Sequence, residues 1–478
     1  VWTAIVRLGV FFFVFLGLEY LFDNLMAAVT DSTGVVRAQS YVLGVSAMGF
    51  LAYGMLPERI RNAGHRRYRV LLEGAAGVLC TVSIMIICLH KNYSVLLLSG
   101  CLLFFMLGMT GSAVHMDMAL QKQAGKGLAV PAGIAYALGI CLQFLDHRFL
   151  KDKVTETAVF VIAAVGLLFF HERAVHLRED ENMPAVEEEK LSMDSNGKKD
   201  SGREVYAQER IQVTEKRVRA FLLAAIVFFM TFIFAELDNA VTLVHAEGSA
   251  DVGHWPRLLL AVSGLAAGML YDIRESRYMH MVMYCVMMLS TICMMSMMLG
   301  MPFIVGLVVF YLSAGFFSVY FTAGFMEIAP EMKRPGCWAG MGRAVNNITA
   351  ALIANPVLAL LSYDSSIAVI VLVLFLFVAV STVAVVYTFQ KKAFAEQLIT
   401  DATNTVSEKE KLQKFTELFS FTEREAEVFG CLVNTEDSVQ TIAENLYVSR
   451  RTLERYISAI YEKTGVKSRV GLLNLYNK

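Results

Sequence analysis

The sequence predicts an all-α chain: a polytopic membrane bundle of two six-helix halves, followed by a small C-terminal four-helix domain. Three observations predict it. Of the 478 residues, 56% are hydrophobic and only 18% charged, too apolar for a water-soluble protein of this length. Apolar stretches long enough to cross a bilayer recur about twelve times, in two sets of six divided by a polar segment. The last residues switch to a polar pattern with helical periodicity and clear capping signals.

The chain begins at Val1, read as an alternative initiation codon or a trimmed end. The apolar run from about 5 to 29 is too long for a signal-peptide core, and no small-x-small cleavage site closes it. It reads as a retained membrane helix. Stretches of spanning length lie at about 4–29, 38–56, 70–90, 94–119, 127–146 and 154–171, which makes residues 1–171 the first half. Residues 172–218 are rich in Glu, Lys, Asp and Ser, including Glu187-Glu188-Glu189-Lys190, and read as a solvated cytoplasmic linker. Spanning stretches resume at about 219–245, 253–271, 278–299, 302–327, 337–361 and 366–389, so the second half is 219–389. Residues 390–420 are polar and helix-favouring with sparse apolar positions, a helical connector. Residues 421–478 form the last domain.

The two halves repeat. Phe22-Asp23-Asn24 and Leu237-Asp238-Asn239 stand 215 residues apart, and Gly54-Met55-Leu56-Pro57-Glu58-Arg59 and Gly268-Met269-Leu270-Tyr271-Asp272-Ile273-Arg274 stand 214 apart. Two motifs at nearly one offset argue for a duplication. The loop motif, the six-plus-six layout and the central linker resemble the major facilitator superfamily over about residues 1–390. The first loop copy departs from the usual pattern at Pro57-Glu58, and the fourth helix lacks an Arg that many proton-coupled members carry. The resemblance implies that Glu58, Arg59, Asp272 and Arg274 are gate latches on the cytoplasmic side. Arg59, Arg61, Arg66, Arg67 and Arg69, with Lys122, Lys126, Arg277, Lys333 and Arg334, fall on that same side. By the positive-inside tendency this places both termini in the cytoplasm, with the chain in the inner (plasma) membrane.

Acids inside a span are costly and suggest function. Glu19 and Asp23 lie four apart and share a helix face, and Glu236 and Asp238 with Asn239 cluster in the seventh span. With Asn24 they would line an acidic cavity suited to a cationic ligand, a hydroxyl-rich ligand or a proton. The alternative is that they cap helix ends or pair internally. Arg343, in the eleventh span, would meet a carboxylate such as Glu327 or bind an anion. The eight cysteines form no Cys-x-x-Cys and read as small buried hydrophobes. Adaptable packing accounts for the Met-rich ninth span, with a copper(I) path as the alternative. No nucleotide loop, catalytic set or metal-ligand spacing occurs, so neither cofactor, metal nor enzymatic activity is expected.

In the last domain, Thr422 and Glu425 form a capping box, and Ala426, Phe429, Leu432 and Val433 give its helix an apolar face. Asp437 or Ser438 starts a second helix, Ser449 a third, and Ser468 a fourth, with Gly465 ending the third. Leu453, Tyr456, Ile457, Ile460 and Tyr461 take the inner face of the third helix. Arg450, Arg451, Glu454, Arg455 and Ser458 are left outside. A polar N-terminal end is what a helix needs to enter the major groove. Basic residues predominate from 449 onward, a footprint of phosphate binding.

Thr422, Arg424, Glu425, Ile442, Ala443, Ser449, Thr452, Lys463, Val466, Ser468 and Arg469 resemble the LuxR/NarL family of helix-turn-helix domains. Departures are Glu454 for the usual Lys, Tyr456 for His and Glu436 for Gly. The resemblance implies double-stranded DNA as partner, contacted by Ser449, Arg450, Arg451, Thr452, Glu454, Arg455, Ser458, Lys467 and Arg469, with a homodimer through this domain as a further candidate. An acid at 454 can read cytosine N4, and it weakens phosphate affinity. A LuxR-type tail on such a membrane domain resembles membrane regulators of gut actinobacteria, which implies a response to small molecules. The expected function is therefore a membrane-embedded one-component transcriptional regulator. The alternatives are a proton-coupled secondary transporter with a regulatory tail, and a transporter whose tail binds only protein.

Overall fold

The computed structural model describes residues 1–56, 66–89, 91–122, 126–150, 152–169, 202–247, 255–273, 278–298, 302–361, 371–372, 374–389, 411–435 and 437–476. They form helices and turns, with no strand among the described residues, and the chain divides into two units, Val1–Thr388 and Phe389–Lys478.

The first unit holds α1 (Trp2–Ala27), α2 (Ser32–Met55), α3 (Arg66–Leu89), α4 (Tyr93–Ala119), α5 (Ala129–Phe149) and α6 (153–169). The second half follows with α7 (Gly202–Ala246), α8 (Leu258–Tyr271), α9 (Met279–Met298), α10 (Phe303–Ile328), a short α11 (Pro335–Ala339), α12 (Met341–Leu361) and α13 (Leu374–Phe389). Leaving α11 aside, these fall on the expected apolar stretches. Six are long and apolar enough to cross a membrane and four more are shorter apolar helices, among the described residues. The chain is a multi-pass membrane protein.

One boundary moves. Residues 202–218, expected in the linker, belong to α7, which runs unbroken for 45 residues. Arg203-Glu204-Val205-Tyr206-Ala207-Gln208-Glu209-Arg210 contains no Gly or Pro, so nothing stops the helix propagating from the membrane span. The rest of the expected linker, 172–201, lies outside the described residues.

Packing explains the repeated loop motif. An added Cβ at Gly268 would lie 2.8 Å from the Ala129 carbonyl oxygen, and one at Gly54 would meet the Cys337 main chain. Each glycine thus permits close approach to a helix start elsewhere in the bundle: Gly268 of α8 to α5, and Gly54 of α2 to α11. Four residues past Gly268 and on the same face, Asp272 accepts hydrogen bonds from Ala129 N (3.1 Å) and Val130 N (2.8 Å). Leu128 gives α5 no side-chain cap of its own, so Asp272 caps that helix from α8. Glu327 of α10 accepts from Leu128 N at 3.3 Å. Asp272 thus ties α8 to α5 through main-chain donors of α5. Glu58, Arg59 and Arg274 lie outside the described residues.

The centre of the first half is aromatic. Phe11, Phe12 and Phe50 surround His115 edge-on at 5.5–6.0 Å, and its Nδ1–H donates to the Gly111 carbonyl at 2.6 Å. Asp117, two residues on, pairs with Arg7 of α1 at 2.7 Å, both buried.

The second unit contains α14 (411–418), α15 (Glu423–Asn434), α16 (Val439–Asn445), α17 (Arg450–Thr464) and α18 (Arg469–Tyr476). Its core is Val428, Phe429, Leu432, Ile442, Ala443, Leu453, Ile460, Leu472 and Tyr476. The caps stand where the sequence puts them: Ser438 accepts from Thr441 N, Ser449 from Thr452 N, and Ser468 from Gly471 N. Gly465 ends α17 at φ +72°, in the left-handed region that favours glycine. The domain extends further back than 421, because Phe415 of α14 stacks on Phe429 at 4.8 Å and meets Tyr476 at 5.4 Å.

Glu425 closes the capping box. Thr422 N donates to its carboxylate at 2.7 Å and Lys463 Nζ at 2.6 Å. Burial works to raise the carboxyl, but the hydrogen bonds from Lys463 and Thr422 prevail and hold it below the usual glutamate value of 4.5. A lowered folded-state value means stability fully present above pH 4.5 and lost as pH falls through the lowered value. The melting midpoint of this domain in the full-length protein should therefore fall below pH 4.5 more steeply in wild type than in Lys463→Met. Equal slopes would show that the pair does not couple folding to protonation.

Candidate functional site

Two surfaces carry the candidate residues, one in each unit. In the C-terminal unit, Arg450, Arg451, Glu454, Arg455 and Ser458 are all exposed on α17, while Leu453 and Ile460 are buried. Arg450 Nε donates to Glu454 at 2.9 Å. The acid is thus partnered by its own helix, and an exposed i,i+4 pair contributes only about 0.3–0.5 kcal/mol, so it opens readily. Among the described residues no hydrogen bond or ion pair engages the side chain of Arg451 or Arg455. Four apart, they share one face near the start of the helix. Ser449 and Thr452 join hydroxyls at 2.7 Å in the cap. Lys467 is exposed in the turn before α18.

Arg469 departs from its expected place. Its guanidinium donates to the Leu432 carbonyl at 2.9 Å, to the Asp437 carbonyl at 2.6 Å and to the Thr435 carbonyl. It thereby closes the end of α15 and the loop after it. A fork of N–H donors suits several carbonyls at once, so Arg469 is a brace inside the domain. Glu436, in that loop, lies outside the described residues.

In the membrane unit a cavity of about 210 Å³ is lined by Glu19, Asp23 and Asp238 together with Arg257, Arg343, His245 and several aromatic rings. Gln39 of α2 donates to Glu19 at 3.0 Å and accepts from Thr242 of α7 at 3.4 Å, tying three helices together. Arg257 lies over the Tyr20 ring at 4.8 Å. The expected site is brought together only in part. Asn24 is exposed and meets His245 Nε2 at 2.8 Å, and Asn239 is buried but does not line the cavity. Each follows an aspartate that does, and successive helical residues point about 100° apart. The Glu236 side chain lies outside the described residues. Arg343 does not meet Glu327. Its carbon Cζ sits 4.9 Å from the Phe321 ring and 5.5 Å from Phe12. Gln39 and Arg257 were missed by sequence reading; the signal was a polar group at the start of an apolar stretch. Among the described residues no group of acids, His and Cys could hold a metal.

A family model described as bacterial regulatory proteins, luxR family, matches residues 419–475. The C-terminal domain is a LuxR-family domain. The chain is also similar to a crystal structure of the human organic anion transporter MFSD10 (TETRAN), with a TM-score of 0.50 and 12% identity over 81% of this chain and 97% of that one. It is also similar to a mutant of the nucleoside transporter NupG, with a TM-score of 0.48 and 10% identity over 81% and 98% of the two chains. At such identity the first likeness shows the fold alone. No curated protein matches the chain as a relative. The protein thus joins a LuxR-type DNA-binding domain to a membrane domain that shares the fold of the first of these structures.

Proposed function

We propose that this LuxR-type membrane protein is a one-component transcriptional regulator. The membrane domain binds a small molecule in the cavity beside Glu19, Asp23 and Asp238, and the LuxR-type domain reads double-stranded DNA. The positive-inside tendency of the loops supports placement in the plasma membrane with both termini in the cytoplasm, where DNA is accessible. The arrangement is that of a receptor and is read as non-enzymatic. A ligand shifts such a receptor only by its differential affinity for two arrangements of the helices. Asp272, which caps α5 from α8, is the contact on the cytoplasmic side that would differ between them.

The observation that carries this reading is the uncommitted pair Arg451 and Arg455 on the exposed face of α17. Exposed and without a salt bridge among the described residues, these two side chains can meet phosphate or guanine directly. Ser449, Thr452, Ser458 and Lys467 would border the contact, and Arg469 would support it from within. An allele carrying Arg451→Ala and Arg455→Ala at native level should copy the transcript changes of a deletion, in a small set of operons. In vitro, the same variant should flatten the salt dependence of DNA binding by about one to two units of log–log slope. Unchanged transcripts in the double variant, beside altered uptake or growth in the deletion, would remove the DNA-reading role.

A further inference from the structure

We propose that the membrane cavity takes a small amphoteric molecule, with a carboxylate seated on Arg343 and an ammonium or hydroxyl group beside Asp23. This deepens the sensing role above and rests on it. Arg343 stands in the first turn of α12, lines the cavity and is only 7% exposed. Its Nε and Nη2 are buried without a hydrogen-bond partner, and no carboxylate forms a salt bridge with it among the described residues. Glu327, the acid in sequence reach, accepts from Leu128 N instead.

The rings of Phe12 and Phe321 do not settle the charge. Cation–π contacts offset only part of the cost of burying an unpaired ion, and its unmet donors add to that cost. A planar guanidinium with free N–H groups on one edge takes the two oxygens of a carboxylate in a bidentate pair.

The other end of the cavity has the opposite deficit. Asp23, 7% exposed, lines the cavity and leaves Oδ1 buried and without a partner. Arg343 packs beside Phe12, and Asp23 lies eleven residues further along the same helix, about 16 Å by helical rise. Glu19, on the same face as Asp23, is about 10 Å along. Unmet donors at one end and an unmet acceptor at the other, with aromatic walls between, define a molecule carrying both groups on a compact apolar body. The cavity volume of about 210 Å³ admits one such molecule.

The test uses the full-length protein in nanodiscs and three probes that differ only in their ends: 3-(4-(aminomethyl)phenyl)propanoate, 3-(4-methylphenyl)propanoate and (4-ethylphenyl)methanamine, at millimolar concentration, with calorimetric titration. Wild type should bind the first, which carries both charges at opposite ends of its ring, best. Arg343→Gln should weaken both carboxylates about a hundredfold, the effect of truncating one partner of a buried charge pair, and leave the amine without a carboxylate unchanged. Asp23→Asn should weaken the amphoteric probe and spare 3-(4-methylphenyl)propanoate. Arg343→Lys keeps the charge but loses the fork, and should fall between wild type and Gln; if Arg343→Gln does not fold, equal carboxylate binding by wild type and Arg343→Lys overturns the proposal. So does undiminished binding in Arg343→Gln, or no binding of either carboxylate to wild type. The transcript test of Arg451 and Arg455 does not involve Arg343, so the regulator reading and the carboxylate site can fail separately.

Discussion

Replacing Arg469 with alanine should destabilise the LuxR-type domain by about 3 kcal/mol. Three hydrogen bonds from one charged group to carbonyls of the α15 end and its loop disappear together. A bond to a charged group contributes roughly 1.5–3 kcal/mol. The Thr435 carbonyl is exposed and recovers water, which keeps the total below the sum. For a small domain with about 5–10 kcal/mol of stability, such a loss is a large fraction of the total. Arg469→Lys should recover little, because an ammonium cannot span three carbonyls. The measurement is the melting midpoint of this domain in the full-length protein, taken without DNA. If Arg469→Ala melts with wild type yet loses DNA, Arg469 belongs to the DNA surface, as the family resemblance implies.

The second large effect is expected at Asp272. Asp272→Ala removes two charge-assisted bonds from the N-terminus of α5, a helix with no side-chain cap of its own. The cost should be about 2–4 kcal/mol, since both main-chain donors lose their acceptor and face the positive end of the helix dipole. Asp272→Asn keeps one carbonyl acceptor without the charge and should recover about half. Thermal melting of the detergent-solubilised protein reads both. A wild-type midpoint in Asp272→Ala would show that the α8–α5 latch carries no load in the bundle.

Much of this was legible in the sequence wherever the cause is local. Thr422 with Glu425, Ser438, Ser449, Ser468 and Gly465 sit at helix ends because capping depends on residues within one turn. The shared face of Glu19 and Asp23 followed from helical geometry, and the matched spacing of Asp23 and Asp238 brought the halves together at one cavity. What failed were contacts fixed by packing. Arg469 reads as one more basic residue until α15 ends beside it. Arg343 invites Glu327 as its partner until Glu327 is seen on the α5 N-terminus. Gln39 gives no sign that it will bridge Glu19 and Thr242. The helical continuation of α7 back to Gly202 was hidden by charge: a polar composition reads as linker, although Glu, Gln, Arg and Ala are good helix formers.

If α17 is the helix that meets DNA, as proposed, the Arg450–Glu454 pair bears on how the protein would search a genome. A carboxylate set against one of its own cations lowers the helix's net charge and with it the grip on an arbitrary stretch of duplex. A freely diffusing regulator would lose occupancy that way. A protein fixed in a bilayer faces another hazard, capture by whichever stretch of chromosome lies nearest. Weak general adhesion keeps such a surface vacant until a matching site drifts past, and the bilayer anchor, by confining the domain to a thin shell, supplies the encounter frequency that the reduced charge gives up.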